Sequence, residues 1–259
     1  MNSRNCFRQS EPAEGFKPIP VKSPTDHLFL FKFRCLVDLQ LGSIVNRLVP
    51  ALAQVTGSVL DVGAGHSPWR AWLPATTSYQ GIDVEYANKF GIPDHRQDIM
   101  YYDGVLMPFG DSTFDNILCI EVLEHAVDPE LLISEMARVV RPCGQILLTV
   151  PWSARRHHLP HDYHRFTRER LQALLTQGGF TCVEIYERGN DICVIANKLT
   201  VLVVRMLRGG VLSLFFLPLG LLCGVLAAGF IVAAHLSVAL QMGSKEDPLG
   251  YFVRARRAS

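Results

Sequence analysis

The chain has 259 residues, a formal net charge of +1 and 19% charged side chains. It offers no electrostatic case for a nucleic-acid partner, and its length suits one α/β domain with additions. Seven cysteines, odd in number and without a CxxC pair, point to reduced thiols in a cytosolic setting rather than a disulfide framework. Residues 1–25 hold Pro12, Pro18, Pro20 and Pro24 among polar residues, predicting a mobile N-terminal arm and no signal peptide. From 26 to 54, apolar residues recur at helical spacing through Leu28, Phe31, Leu36, Leu39, Ile44, Leu48 and Leu52. This predicts a helical region that packs beside a sheet or forms part of a substrate wall.

Val59-Leu60-Asp61-Val62 reads as a buried parallel strand, and Gly63-Ala64-Gly65 as the turn after it. Two glycines there let the backbone bend sharply and approach a ligand without a Cβ in the way; the alternative is a tight turn with no ligand. Ser67 and Pro68 are placed to open a helix at Pro68–Leu73. Ser78–Val84 is the next strand, and Asp83 stands at its end, where a carboxylate can accept bonds from two ribose hydroxyls. Pro68 occupies the position of the third glycine of a dinucleotide fingerprint, and no GxxxxGK[ST] exists, so a pyrophosphate or P-loop site is disfavoured. A nucleoside cofactor without phosphates remains. Asn116–Glu121 reads as strand four, Asp128–Val140 as a helix with Asp128 as cap and Pro129 at its first position, and Ile146–Val150 as a central strand.

With these motifs in order, residues 55–197 resemble a class I S-adenosylmethionine-dependent methyltransferase of the small-molecule type. Val59–Gly65 resembles the first motif of that family, Gly81-Ile82-Asp83 the second, and Gln97-Asp98-Ile99 with Met107-Pro108-Phe109 the third region. Glu121–His125 then follows strand four. Ser67 departs from the family, many members of which carry another glycine there. The resemblance implies a Rossmann-like, doubly wound, seven-stranded sheet whose last strand is antiparallel, and S-adenosyl-L-methionine as cofactor. It implies that Asp61, Gly63 and Gly65 line the methionine portion, that Asp83 holds the ribose, and that Asp98 and Ile99 meet the adenine. Glu121 and His125 would sit at the mouth where cofactor and acceptor meet, or form a satisfied pair at a strand–helix turn.

The segment Arg155–Thr167 packs four histidines, three arginines, an aspartate and a tyrosine into thirteen residues. One reading is an acceptor loop in which His161 or His164, beside Asp162, takes a proton from a hydroxyl as it is methylated. A second is a divalent metal on His157, His158, His161 and Asp162, although the spacing fits no standard site. A third is a solvated structural loop. Thr167 is expected to cap the next helix, which Gly178-Gly179 ends. Phe180–Tyr186 and Ile192–Ala196 are expected to be the last two strands, a closing hairpin.

From Gly209 to Ser244 there is no Asp, Glu, Lys or Arg. At ~1.5 Å per residue a helix over this run would reach ~54 Å, against ~30 Å of hydrocarbon. Residues 199–244 are therefore expected to insert in a membrane as one tilted helix or a re-entrant hairpin, with 245–259 a basic cytoplasmic tail. The resemblance places the domain of residues 55–198 on the cytoplasmic face. The expected function is methyl transfer from S-adenosylmethionine to an oxygen of a small-molecule or lipid-linked acceptor. The competing reading is a non-catalytic membrane scaffold or cofactor sensor. Oligomeric state is not legible.

Overall fold

A computed structural model describes residues 19–21, 23–25, 27–90, 96–208 and 213–259 of the chain. Most of the expected arm, residues 1–18 and 22, lies outside the described residues. Two helices, α1 (Leu28–Val37) and α2 (Leu39–Leu52), precede β1 (Ser58–Val62) and β2 (Ser78–Val84). Then come β3 (Ile99–Tyr102), β4 (Phe114–Ile120), α3 (Pro129–Val139), β5 (Val140–Pro151), α4 (Arg168–Gln177) and β6 (Phe180–Arg188). The chain closes with α5 (Asp191–Leu207), α6 (Ser213–Ala239) and β7 (Gly250–Arg257).

The strands form one sheet in the order β3-β2-β1-β4-β5-β7-β6. The pairings from β3 to β5 are parallel, and β7 runs antiparallel to both of its neighbours. Successive residues of a strand face opposite sides, so β4 sends Ile117 and Cys119 into a core with Met136 of α3 and Leu171 of α4. Leu118 and Ile120 of β4 join a second core with Ile44 and Leu48 of α2. Helices thus cover both faces, as a parallel sheet requires. Local signals act as read: the Asp128 side chain accepts from Leu131 N–H and Thr167 from Arg170 N–H, each closing a helix N-terminus.

Three expectations fail, two for local reasons and one for a long-range pairing. The helix expected from Pro68 is only a 3-10 turn, Arg70–Trp72. Ser67 is held at φ +53° and does not cap it, and Leu73 before Pro74 is already extended. Ile192–Ala196 is not a strand but the start of α5, capped by Asn190, whose side chain accepts from Cys193 N–H; a short apolar run does not separate the two states. Residues 245–259 are not a tail, because Gly250–Arg257 is β7, inserted between β5 and β6.

That last finding governs the apolar segment. The chain leaves the sheet after β6, runs out along α5, returns along α6 and re-enters the sheet as β7. A single crossing by α6 would strand β7 on the far side of the membrane from its partners, so the one-span reading is ruled out. The two helices lie antiparallel: Gly220 packs against Leu207, Gly224 faces Val203, and Asn190 Nδ2 donates to Ser237 Oγ at 2.9 Å. Small residues let the helices approach closely, and Gly220, Ala227 and Ala234 form the buried edge of α6. Its other faces are open. Phe215–Ala239 has a mean hydropathy of 2.4, and 11% of its most apolar stretch is buried.

Candidate active site

A cleft of about 380 Å³ opens at the carboxyl ends of β1 to β4, the edge where open α/β sheets bind ligands. Gly63 forms its floor at φ +69°; a Cβ there would overlap Val122. The N–H groups of Gly63 and Ala64 both donate to Ile82 O, at 2.9 and 3.1 Å, which fixes the turn against β2. Asp83 lines the cleft and accepts from Gly65 N–H (2.9 Å) and Val84 N–H (2.8 Å). Burial raises its carboxyl above the ordinary range, and those two bonds work against the rise. Asp103, at the end of β3, also lines the cleft. Its Oδ1 accepts from Val105 N–H at 2.8 Å. Two carboxylates on adjacent strand ends beside an open glycine turn suit the hydroxyls and amino group of a nucleoside.

Glu121 lines the opposite wall at φ +55°, a conformation costly for a non-glycine residue and common where a site over-determines the backbone. Arg188, fully buried, donates to Glu121 Oε1 at 2.8 Å and to Val150 O at 3.0 Å. Arg188 also borders a second cavity of about 480 Å³ between α2 and the base of the α5–α6 hairpin. This one ion pair joins the cleft to the foot of the apolar excursion.

Of the residues expected to hold the cofactor, Gly63, Asp83, Glu121 and His125 border the cleft. Asp61 lies beneath the turn, buried, and accepts from Tyr79 O–H at 2.6 Å. Burial lifts its pKa to about 7 against that bond, with the Asp83 charge adding to the rise. Gly65 touches the site through its bond to Asp83. Asp98 and Ile99 are misplaced by the sequence reading. They stand at the entrance of β3, and a ligand of a parallel sheet sits at the exit. Asp98 is exposed and bonded by Arg96 at 2.6 Å and Arg70 at 3.3 Å; the Arg96 bonds hold its carboxyl below the usual range. Ile99 packs under Gly81. Asp103 occupies the strand end instead. The signal for it was present in the Asp103-Gly104 pair directly after a strand, the same placement as Asp83.

The histidine-rich loop is clamped onto the 3-10 turn Leu123–His125. Tyr163 and His164 N–H donate to Glu124 O at 3.0 and 3.1 Å. Asp162, its side chain fully buried, takes two bonds from Arg165 (2.6 and 2.8 Å) and one from His157 N–H (3.0 Å). Burial opposes the charge, yet bonds from His157 and Arg165 hold this carboxyl well below its ordinary value, so Asp162 organises the loop. His164 Nε2 pairs with Ala126 O at 3.0 Å, and His161 Nδ1 with the Tyr163 hydroxyl at 3.0 Å. Among the described residues, the imidazoles on the cleft wall are His125 and His158. Burial first, and His157 second, press His125 down to about pKa 3, so it is neutral.

The family described as a methyltransferase domain matches residues 34–185. The chain is 27% identical over 200 residues to an O-methyltransferase of Pyrenophora dematioidea, covering 68% of this chain and 72% of that protein. It is 27% identical over 168 residues to O-methyltransferase cnsE of Penicillium expansum, covering 56% of this chain and 59% of that protein. The crystal structure of a proposed sarcosine dimethylglycine methyltransferase from Galdieria sulphuraria aligns with a TM-score of 0.50 at 15% identity, over 93% of this chain and 94% of that one, a likeness of fold. Because the family match takes in more than half of the sequence and agrees with the cleft at the glycine turn, the chain belongs to the methyltransferase-domain family and is an S-adenosylmethionine-dependent methyltransferase.

Proposed function

We propose that this enzyme methylates an oxygen of an amphiphilic, membrane-held acceptor while seated on the membrane by its α5–α6 hairpin. The observation that carries the reading is the return of the chain into the sheet as β7. The exposed apolar helix is thereby built into the catalytic domain rather than appended to it. α1 adds to the same surface: Phe29 is 79% and Phe33 56% exposed, and Leu36 O is bonded by His235 of α6 at 2.8 Å. Exposed apolar area of this kind marks an interaction surface.

The hairpin is read as monotopic. Both ends belong to one sheet, so a spanning version needs two crossings. α5 would then carry exposed Lys198 and Arg205 into hydrocarbon at roughly 2.5–3.5 kcal/mol each. An outer face of α6 embedded at the interface, with α5 behind it, avoids that cost.

The residues present fit S-adenosylmethionine, which supplies a methyl group on a sulfonium. Gly63 keeps the floor free of a side chain, Asp83 is placed for ribose hydroxyls, and the role first given to Asp98 passes to Asp103. Glu121, pinned by Arg188, and neutral His125 form the acceptor wall. As the acceptor oxygen bonds to carbon and the carbon–sulfur bond breaks, the hydroxyl proton must leave toward that wall. Positioning of this kind supplies much of the rate in a displacement reaction.

Cutting the chain at residue 199 cannot test the tether, because it deletes β7. The clean variant removes 204–223 and joins Val203 to Gly224, which already face each other, through a short Gly/Ser linker. It should lose flotation with liposomes and keep S-adenosylhomocysteine binding, with label transfer from methyl-labelled cofactor into a membrane extract reduced at least tenfold. Undiminished labelling would overturn the membrane reading alone; absence of S-adenosylhomocysteine binding by the full chain would overturn the cofactor assignment.

A further inference from the structure

Beside the cleft, three imidazoles and one carboxylate converge. One ring nitrogen from each of His125, His157 and His158 lies within 4.8 Å of the others. Glu124 sits beneath them, 0% exposed, and neither of its carboxylate oxygens has a hydrogen-bond partner among the described residues. Its Oε1 is 3.6 Å from His125 Nε2 and 4.0 Å from His157 Nε2.

The tautomers follow from the far side of each ring. His125 Nδ1 meets His161 O at 2.7 Å, and His157 Nδ1 meets Arg155 O at 3.1 Å. A carbonyl only accepts, so each Nδ1 carries the proton, and in the neutral rings each Nε2, the atom nearer Glu124 Oε1, keeps its lone pair. At 3.6 and 4.0 Å from Glu124 Oε1 the two nitrogens are too far for hydrogen bonds, and the space between these acceptors suits an electropositive atom. Nδ1–H bonded to backbone carbonyl is also how metal-ligating histidines are oriented. A fully buried carboxyl without hydrogen bonds is costly to ionise, and burial raises Glu124 well above the ordinary carboxylate range, so either a proton or a bound cation must compensate it.

We propose that His125, His157, His158 and Glu124 form a binding site for a divalent first-row transition ion, with zinc the ion this imidazole–carboxylate set suits best. The ligand set differs from the one the loop sequence suggested: His161 supplies its carbonyl to orient His125, and Asp162 fixes His157 through its backbone N–H. The ligands come from two segments, the turn after β4 and the loop after β5, so the ion also staples the loop to the sheet edge. His125 and His158 border the cleft, so an open coordination position there would receive an oxygen of the acceptor. That last role rests on the methyltransferase reading; the site itself does not.

The test uses the full chain in detergent, stripped with chelator and titrated with Co²⁺ alone, then with Zn²⁺ in competition. The expected result is an equimolar visible d–d spectrum of low-symmetry Co²⁺, displaced by Zn²⁺, with affinity lowered at least tenfold in His157→Gln and in Glu124→Gln and unchanged in His27→Gln. S-adenosylhomocysteine binding, read by calorimetry on the same samples, reports separately that the fold and cofactor site are intact. If the wild-type chain binds S-adenosylhomocysteine but gives no Co²⁺ spectrum, or if both variants bind Co²⁺ like wild type, the site is not a metal site.

Discussion

Asp83, Asp98 and Asp103 differ in what their carboxylates already hold. Asp98 is committed to Arg96 and lies on the open surface, whereas Asp83 and Asp103 turn toward the cleft from neighbouring strand ends. Loss of a charge-assisted hydrogen bond costs about 1.5–3 kcal/mol. Asp83→Asn and Asp103→Asn should therefore each weaken S-adenosylhomocysteine binding roughly tenfold or more. Asp98→Asn should leave it within about twofold, since an exposed ion pair contributes little. Titration calorimetry of the three variants decides between the strand-end and strand-entrance positions. A sequence reader sees an acidic residue near β3 in both cases; which one reaches the ligand depends on where the strand starts, and boundaries are the least legible feature of a sequence. Ser67 shows the opposite. It stands where a glycine was expected, and its φ of +53° is the left-handed conformation glycine would take without strain.

At the scale of elements, β7 is the piece on which the sheet depends. It pairs with β5 from Gln145 to Pro151 and with β6 from Phe180 to Arg188, and it buries Tyr251, Phe252, Val253 and Ala255. Deleting residues 250–259 should leave β5 with an unpaired edge, detach β6 from the sheet and abolish the cooperative thermal transition, measured by circular dichroism in detergent. A basic tail of the same length could be removed without such loss. The strand was hidden because Gly250–Arg257 alternates little: Arg254, Arg256 and Arg257 read as a positive flank to an apolar helix, and the pattern that makes them a strand lies in their partners. α5 was hidden in another way, since its first turn is apolar and β-branched enough to pass for an edge strand until the Asn190 cap is seen.

For the whole molecule, buried ionisable groups set the dependence of stability on pH. Asp61 is raised to about 7 by burial, so the folded state binds its proton more tightly than the unfolded chain does. Its contribution is fully present below its ordinary value near 3.8 and is lost as pH rises through about 7. His125, held neutral by burial, has the opposite slope and loses stability as pH falls through its ordinary value, and Asp83 and Glu124, also raised by burial, add slopes of their own, so the wild-type curve alone isolates no single group. The difference between wild type and Asp61→Asn isolates the carboxylate. The variant should gain on wild type by roughly 1.4 kcal/mol per pH unit between about pH 5 and about pH 7, read from urea midpoints without ligand. The sequence by itself determined the class of sheet, the glycine turn, the Asp83 strand end, the caps of α3 and α4 and the presence of a long apolar helix, because each is written in neighbouring residues. Only the tertiary structure decided that Asp103 and not Asp98 borders the cleft, that Glu124 and the histidines of two segments meet, and that the apolar helix belongs to a hairpin. Those facts arise from pairing between residues far apart in the chain, above all from β7 returning to its place between β5 and β6.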